Sequence, residues 1–382
     1  MSDKWTKNSP NDGEDGLALI WQRFPEWQRQ SSSVWWFFLL SPKGPEGYGP
    51  RQMMFTIVGR VGERVRINGQ EFRSLAHPPA VNGAREEHFG GMTLGWMLDG
   101  QTMHEGVIHQ AAPVTISADG FVSAWSPETG LGGEIRQAGD KPFNLAVQFK
   151  GQKGAANFEV WGDPNFPLCL PSETVNLKTV LGGCHSVGWQ HLQFQGEFQS
   201  PSGTEWLEGI GYFQRVCLNF PAFPWKWIWG LFEDGSTFSS FNPYVGLNLL
   251  RQGDWFFPTL LERLAIPVTS SAYFFSPGRS EQVRFEKSRV KPIIGRGPFP
   301  QFEVQYSAKN GDFMRYRIEP YSHAQVLLDR PVLSRFWLSR YNYNEYIFRL
   351  RDLSGRVNGQ PLDSQKLGNA FGNIEYTWSL GF

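Results

Sequence analysis

The sequence predicts a mostly β protein of two antiparallel β-barrel domains packed together with little helix, and three observations carry that prediction. Asn-Gly or Asp-Gly pairs, among them the six at Asn68, Asp99, Asp119, Asp234, Asn310 and Asn358, punctuate the chain, and such pairs suit the positive-φ positions of tight hairpins. Helical periodicity is scarce. An aromatic strand pattern also recurs: VWWFFLLSPKG begins at Val34 and WKWIWGLFEDG at Trp225, 191 positions later, which aligns Trp36 with Trp227 and suggests a duplicated unit.

In chain order, the polar stretch 1–16 reads as a disordered tail without an apolar leader. Residues 17–215 form the N-terminal barrel and 216–382 the C-terminal one, with Pro221-Ala222-Phe223-Pro224 breaking strand pairing near the junction. Alternating apolar and polar residues predict strands over Gln52–Val61, Asn144–Phe149, Phe299–Tyr306, Phe313–Ile318 and Ser334–Arg340. WFFPTLLERL, Trp255–Leu264, is the best helical candidate, interrupted by Pro258. GAANFEVWG at Gly154 echoes GNAFGNIEYTW at Gly368, each in the place of a closing strand.

Lys+Arg and Asp+Glu both number 36, so no net field draws in phosphate backbones, and nucleic acid is excluded as a partner. The basic, aromatic stretch Arg335–Arg351 then reads as a solvated barrel face. Three cysteines, Cys169, Cys184 and Cys217, argue against a disulfide framework and suit the cytoplasm. The longest apolar run, Val34–Leu40, is far short of the roughly 20 residues a spanning helix needs, so no transmembrane segment is expected. No signal for an oligomeric state is present.

The 16 Trp, 31 Phe and 11 Tyr point to an aromatic interior. Trp227 and Trp229 share one face of a strand, and if that face is the lumen, it and Trp36 would line a pocket for an apolar polyene or terpenoid-like molecule. Indole faces also stabilise a developing carbocation. Trp225, His104 and His185 complete the expected substrate-binding set. Glu208, near Glu205, is the candidate acid, and Tyr212, Gln214 and Arg215 are the candidate hydrogen-bonding rim that polarises the substrate. His104 and His109 are five apart and fall on opposite strand faces, and His185 with His191 lacks further ligands, so no metal is expected. No Gly-x-Gly-x-x-Gly or Gly-x4-Gly-Lys-Ser/Thr motif occurs, and no cofactor is expected.

The opening Trp35-Trp36-Phe37-Phe38, the mid-chain Gly209-Ile210-Gly211-Tyr212, the Trp225, Trp227, Trp229, Gly230 and Asp234-Gly235 segment and the closing Gly368–Tyr376 occur in a telling order. Together, over Trp21 to Trp378, they resemble the two-domain lipocalin-like superfamily of carotenoid 1,2-hydratase (hydroxyneurosporene synthase), AttH-like proteins and decalin-forming Diels–Alderases, and more distantly tocopherol cyclase. The chain departs from that pattern at Val34, often Glu in the family, and at Phe213–Asn219, where relatives carry charged or imidazole side chains before Trp-Gly. A family-style acid at that second place is therefore missing. The resemblance implies paired lipocalin-like barrels and secondary-metabolite chemistry. The expected function is a cofactor-independent cyclase, isomerase or hydro-lyase acting on an apolar polyene, terpenoid or polyketide-derived substrate. The alternative is a lipocalin-like carrier of a hydrophobic small molecule.

Overall fold

In the computed structural model, residues 20–21, 33–60, 65–72, 86–117, 120–139, 143–162, 173–179, 182–218, 225–245, 249–252, 255–258, 266–267, 270–277, 281–332 and 337–380 are described. Among the described residues nearly all regular structure is strand, with one short helical turn. Ten strands build the first barrel: β1 (Ser33–Gly44), β2 (Gln52–Arg60), β3 (Glu86–Leu98), β4 (Met103–Ser117), β5 (Phe121–Trp125), β6 (Gly132–Gln137), β7 (Asn144–Lys150), β8 (Ala155–Gly162), β9 (Gly182–Ser200) and β10 (Gly203–Leu218). Each pairs with its neighbour in sequence, and β10 returns to β1, so the sheet closes as an up-and-down meander. Closure removes every free edge among these ten.

Alternation decides what enters this barrel. On β1 the even residues Val34, Trp36, Phe38 and Leu40 join the core, and on β10 Leu207, Phe213 and Cys217 do so. The lumen is filled with rings: Phe55 packs on Phe149, Phe158 and Phe198 at centroid separations of 5.3, 6.1 and 6.4 Å. A second group joins Phe143, Trp189, Phe213 and Phe38. Each such ring contributes roughly 1.5–3 kcal/mol by leaving water.

The second barrel uses β11 (Trp225–Phe232), β12 (Thr237–Val245), β13 (Ser271–Ser276), β14 (Glu281–Phe285), β15 (Lys287–Ile293), β16 (Gln301–Ser307), β17 (Phe313–Val332), β18 (Trp337–Val357) and β19 (Ala370–Leu380). The order is again sequential, and β19 pairs with β11. The ring is interrupted once. β14 and β15, separated by Glu286 alone, lie at the two ends of the paired order and leave a seam. One helical turn, Ser364–Leu367, is capped by Asp363, whose carboxylate accepts from the Gln365 and Lys366 amides.

The division into two units falls between Ala222 and Phe223, with the short segments Gly44–Pro50 and Gly100–Met103 going with the second unit. It therefore lies beyond a boundary at residue 215, because β10 continues to Leu218. The expected helix is corrected: Trp255–Pro258 is a strand paired with Leu249–Gln252, as its aromatic residues favour and as Pro258, unfit for a helix interior, permits, while 259–264 lie outside the described residues. So do the tail 1–16, Cys169 and the Pro221–Pro224 break. Of the six turn pairs, Asn68-Gly69 and Asn358-Gly359 place both residues at positive φ, whereas at Asp99, Asp234 and Asn310 only the glycine does.

The repeat holds at the level of strands, since β1 and β11 each open a barrel and each pairs with its last strand. Its register does not. In β11 the lumen-facing residues are Ile228 and Phe232, so Trp227 faces outward where its partner Trp36 faces inward. The second echo also fails, because β8 is followed by β9 and β10 and closes nothing as a last strand.

Candidate functional site

The outer face of β11 is buried although it is not lumen: Trp227 and Trp229 are 2% and 0% exposed. Sheet register places Trp227 beside Glu375 of β19, and Glu375 beside Glu345 of β18. Two carboxyl groups thus sit in one lateral row, both fully enclosed, with exposures of 2% and 1%. An enclosed carboxylate is costly unless it is hydrogen-bonded, and each is served. The Trp225 indole Nε1 donates to Glu375 Oε2 at 2.8 Å, and the Tyr343 hydroxyl donates to Glu375 Oε1. The Asn373 amide Nδ2 donates to Glu345 Oε2 at 2.8 Å.

Trp225 is itself fixed from both sides of its backbone. Its N–H donates to Thr377 Oγ1 at 2.7 Å, and the Thr377 hydroxyl donates to its carbonyl at 3.2 Å. The Tyr343 ring stands edge-on to the Trp225 indole. Burial pushes the Glu375 carboxyl up to about 7, against the opposing pull of the Tyr343 and Trp225 hydrogen bonds. Burial, with the two neighbouring carboxylates, also pushes the Tyr343 phenol well above its ordinary range. The arrangement is an acid that keeps its proton near neutrality, with two fixed donors aimed at the charge it acquires on giving that proton away.

The residues singled out from the sequence do not converge on one place. Trp36 is buried in the lumen of the first barrel, where its Nε1 donates to the Ile20 carbonyl at 3.1 Å. Arg215 faces that lumen too, in register with Trp36 on one side and Val187 on the other, fully enclosed. Tyr212 and Gln214 lie on the opposite face of β10, with the Tyr212 hydroxyl donating to Gln214 Oε1 at 2.9 Å, both buried. The expected four-residue rim is therefore divided between two faces of one strand. Glu208 shares the face of Tyr212 but is exposed, and its neighbour Glu205 pairs with Arg51 at 2.6 Å.

His104 is exposed and hydrogen-bonds Asp99 at 2.8 Å. His185 occupies β9 opposite Cys217 of β10; its side chain lies outside the described residues. Among the described residues no cluster of His, Cys, Asp and Glu could hold a metal ion, and no helix is long and apolar enough to cross a membrane.

Glu375, Glu345 and Tyr343 were not singled out from the sequence, although Glu375 lies inside the quoted closing strand. The available signal was a carboxylate in a strand of apolar and small residues, as in NIEYTW and NYNEYIF. Their convergence depends on strand register, which spacing along the chain does not reveal.

No family model and no curated protein matches the sequence. Solved structures do. CghA superposes with a TM-score of 0.52 at 8% identity, covering 92% of this chain and 89% of that one. An AttH protein of Nitrosomonas europaea gives 0.44 at 12% identity over 91% and 92%. Kievitone hydratase from Nectria haematococca gives 0.42 at 10% identity over 95% of each. With CghA, this chain shares the two-barrel lipocalin-like fold.

Proposed function

We propose that this protein is a cofactor-independent cyclase, isomerase or hydro-lyase of an apolar, unsaturated small molecule, with Glu375 as the proton donor. The carrying observation is a carboxyl held near pH 7 by burial and flanked by Trp225, Trp227 and Tyr343. Transfer of its proton to an alkene carbon leaves a carbocation, which the indole faces of Trp227 and Trp229 stabilise through their quadrupoles. Capture by a second double bond closes a ring and leaves a new cation, and capture by water leaves a protonated alcohol. Loss of a proton back to the Glu375 carboxylate ends each route, cyclisation, isomerisation or hydration, and restores the acid. While Glu375 is anionic, the N–H of Trp225 and the O–H of Tyr343 hold its charge. The reaction begins with a proton rather than with a concerted cycloaddition.

The test is turnover of acyclic polyenes presented in detergent, run in D2O. We expect one solvent deuteron in each product and a loss of about a hundredfold or more in Glu375→Gln. Wild-type turnover in Glu375→Gln together with its collapse in Trp227→Ala would replace the acid mechanism by a concerted one. Recovery of every polyene unchanged by the wild type, with binding weakened in Trp227→Ala, would make the protein a carrier.

A further inference from the structure

Beside β15, one lip of the seam in the second barrel, lies a cavity of about 1090 Å³. Along β12, pairing with β13 covers Thr237 to Phe241 and pairing with Ile266–Pro267 covers Tyr244 and Val245, which leaves Asn242 and Pro243 between them without a strand partner on that side among the described residues. There β15 crosses over, and Lys226 at the start of β11 donates from Nζ to the Val290 carbonyl at 3.1 Å. Lys226 alternates with Trp225 and Trp227, so it lies on the other face of β11 from Glu375. It plays no part in the proton chemistry.

Two polar side chains of this solvent-open cavity are themselves deeply buried. Lys226 is 5% exposed, with its ammonium 4.5 Å from the Tyr244 ring centroid and 5.6 Å from that of Tyr376. Asn242, 7% exposed, brings to the lining an Oδ1 with no hydrogen-bond partner among the described residues, and the Ser288 Oγ is in the same condition. Buried polar atoms left this way destabilise the fold until something binds them. The mouth is cationic. Lys287, Arg289 and Lys291 line it from the exposed side, and Glu303 is the one carboxylate among the described lining residues. The walls are apolar, from Pro243, Val290, Pro292, Ile293 and the half-exposed Ile294.

We propose that this seam is a second ligand site, which takes an amphipathic anion: a carboxylate carried on an apolar chain. The carboxylate accepts from the Lys226 ammonium and the Ser288 hydroxyl. A half-turn of the Asn242 amide presents its Nδ2 to the same group and returns Oδ1 to the Ser240 hydroxyl, which now lies 3.3 Å from Nδ2. The chain lies along the proline and isoleucine walls, and the three mouth cations attract the anion from solution.

The probe is 11-(dansylamino)undecanoic acid beside its methyl ester, titrated by fluorescence. We expect the acid to bind once per chain and the ester about tenfold or more weakly, the scale of one charge-assisted contact. Lys226→Met should bring the acid down to the ester's affinity. Arg289→Ala with Lys291→Ala, both on the exposed surface and safe for folding, should weaken the acid several-fold at low salt, with the difference shrinking as salt rises. Equal binding of acid and ester, no binding of either, or an unchanged affinity in the surface double variant at low salt would each overturn the proposal.

Discussion

A carboxyl group inside a protein reports its surroundings through the pH at which it lets go of its proton, and Glu375 turns this into a stability signature. Unfolded, a glutamate titrates near 4.3–4.5; folded, burial holds this one to about 7. Below the lower value both states carry the proton. Between the two values the folded chain keeps a proton that the unfolded chain has lost, so the contribution of Glu375 to stability declines as pH rises through that window and levels off above it. The full decline is on the order of 3 kcal/mol. Denaturant unfolding of wild type and Glu375→Gln across pH 4 to 9 checks this: the difference between them should change sharply between about 4.5 and 7. A constant difference would mean that Glu375 titrates as an ordinary glutamate.

At the level of strands, the second barrel depends on two glycines that face each other across β11 and β19, Gly230 and Gly372. A Cβ at Gly372 would come 2.4 Å from the Trp229 carbonyl oxygen and 2.6 Å from the Phe348 ring. The first of these is backbone and cannot yield. Gly372→Ala should therefore lower thermal stability by several kcal/mol and reduce the soluble yield, whereas a melting temperature within a degree or two of wild type would show that the strands can part. Turns and alternation made the strands of both barrels legible in the sequence, because a two-residue periodicity and an Asn-Gly pair are local facts. The facing of β11 was not legible: slipping the alignment of β1 onto β11 by one residue exchanges lumen and outer surface, and Trp36 and Trp227 look alike in either register. The same limit hid the acid. Glu345, Glu375 and Tyr343 meet only through pairing of β18 with β19, whereas Glu208, attractive beside the Gly-x-Gly-Tyr segment, lies in the exposed half of its strand.

Taken whole, the chain solves the same topological problem twice with different completeness. The first barrel is a closed ring of ten strands, and the second is a sequence of nine whose ends do not pair. Backbone amides of Glu281–Phe285 and Lys287–Ile293 each have a strand neighbour on one side only among the described strands. Hydrogen exchange should accordingly find these two segments opening at lower free energy than β11, which is paired on both sides. Protection of β15 equal to that of β11 would indicate that the seam is closed in solution.

An unpaired strand edge is also an invitation to the edges of other molecules, the route by which β proteins assemble into unwanted stacks. β15 carries its own deterrents. Pro292 withholds one amide from any incoming strand, and Lys287, Arg289 and Lys291 alternate along the exposed face, so a second copy laid against the first would bring ammonium and guanidinium groups opposite their likes. A neutral replacement of those three side chains would therefore be expected to leave the barrel as open as before while removing a charge barrier to the stacking of its copies.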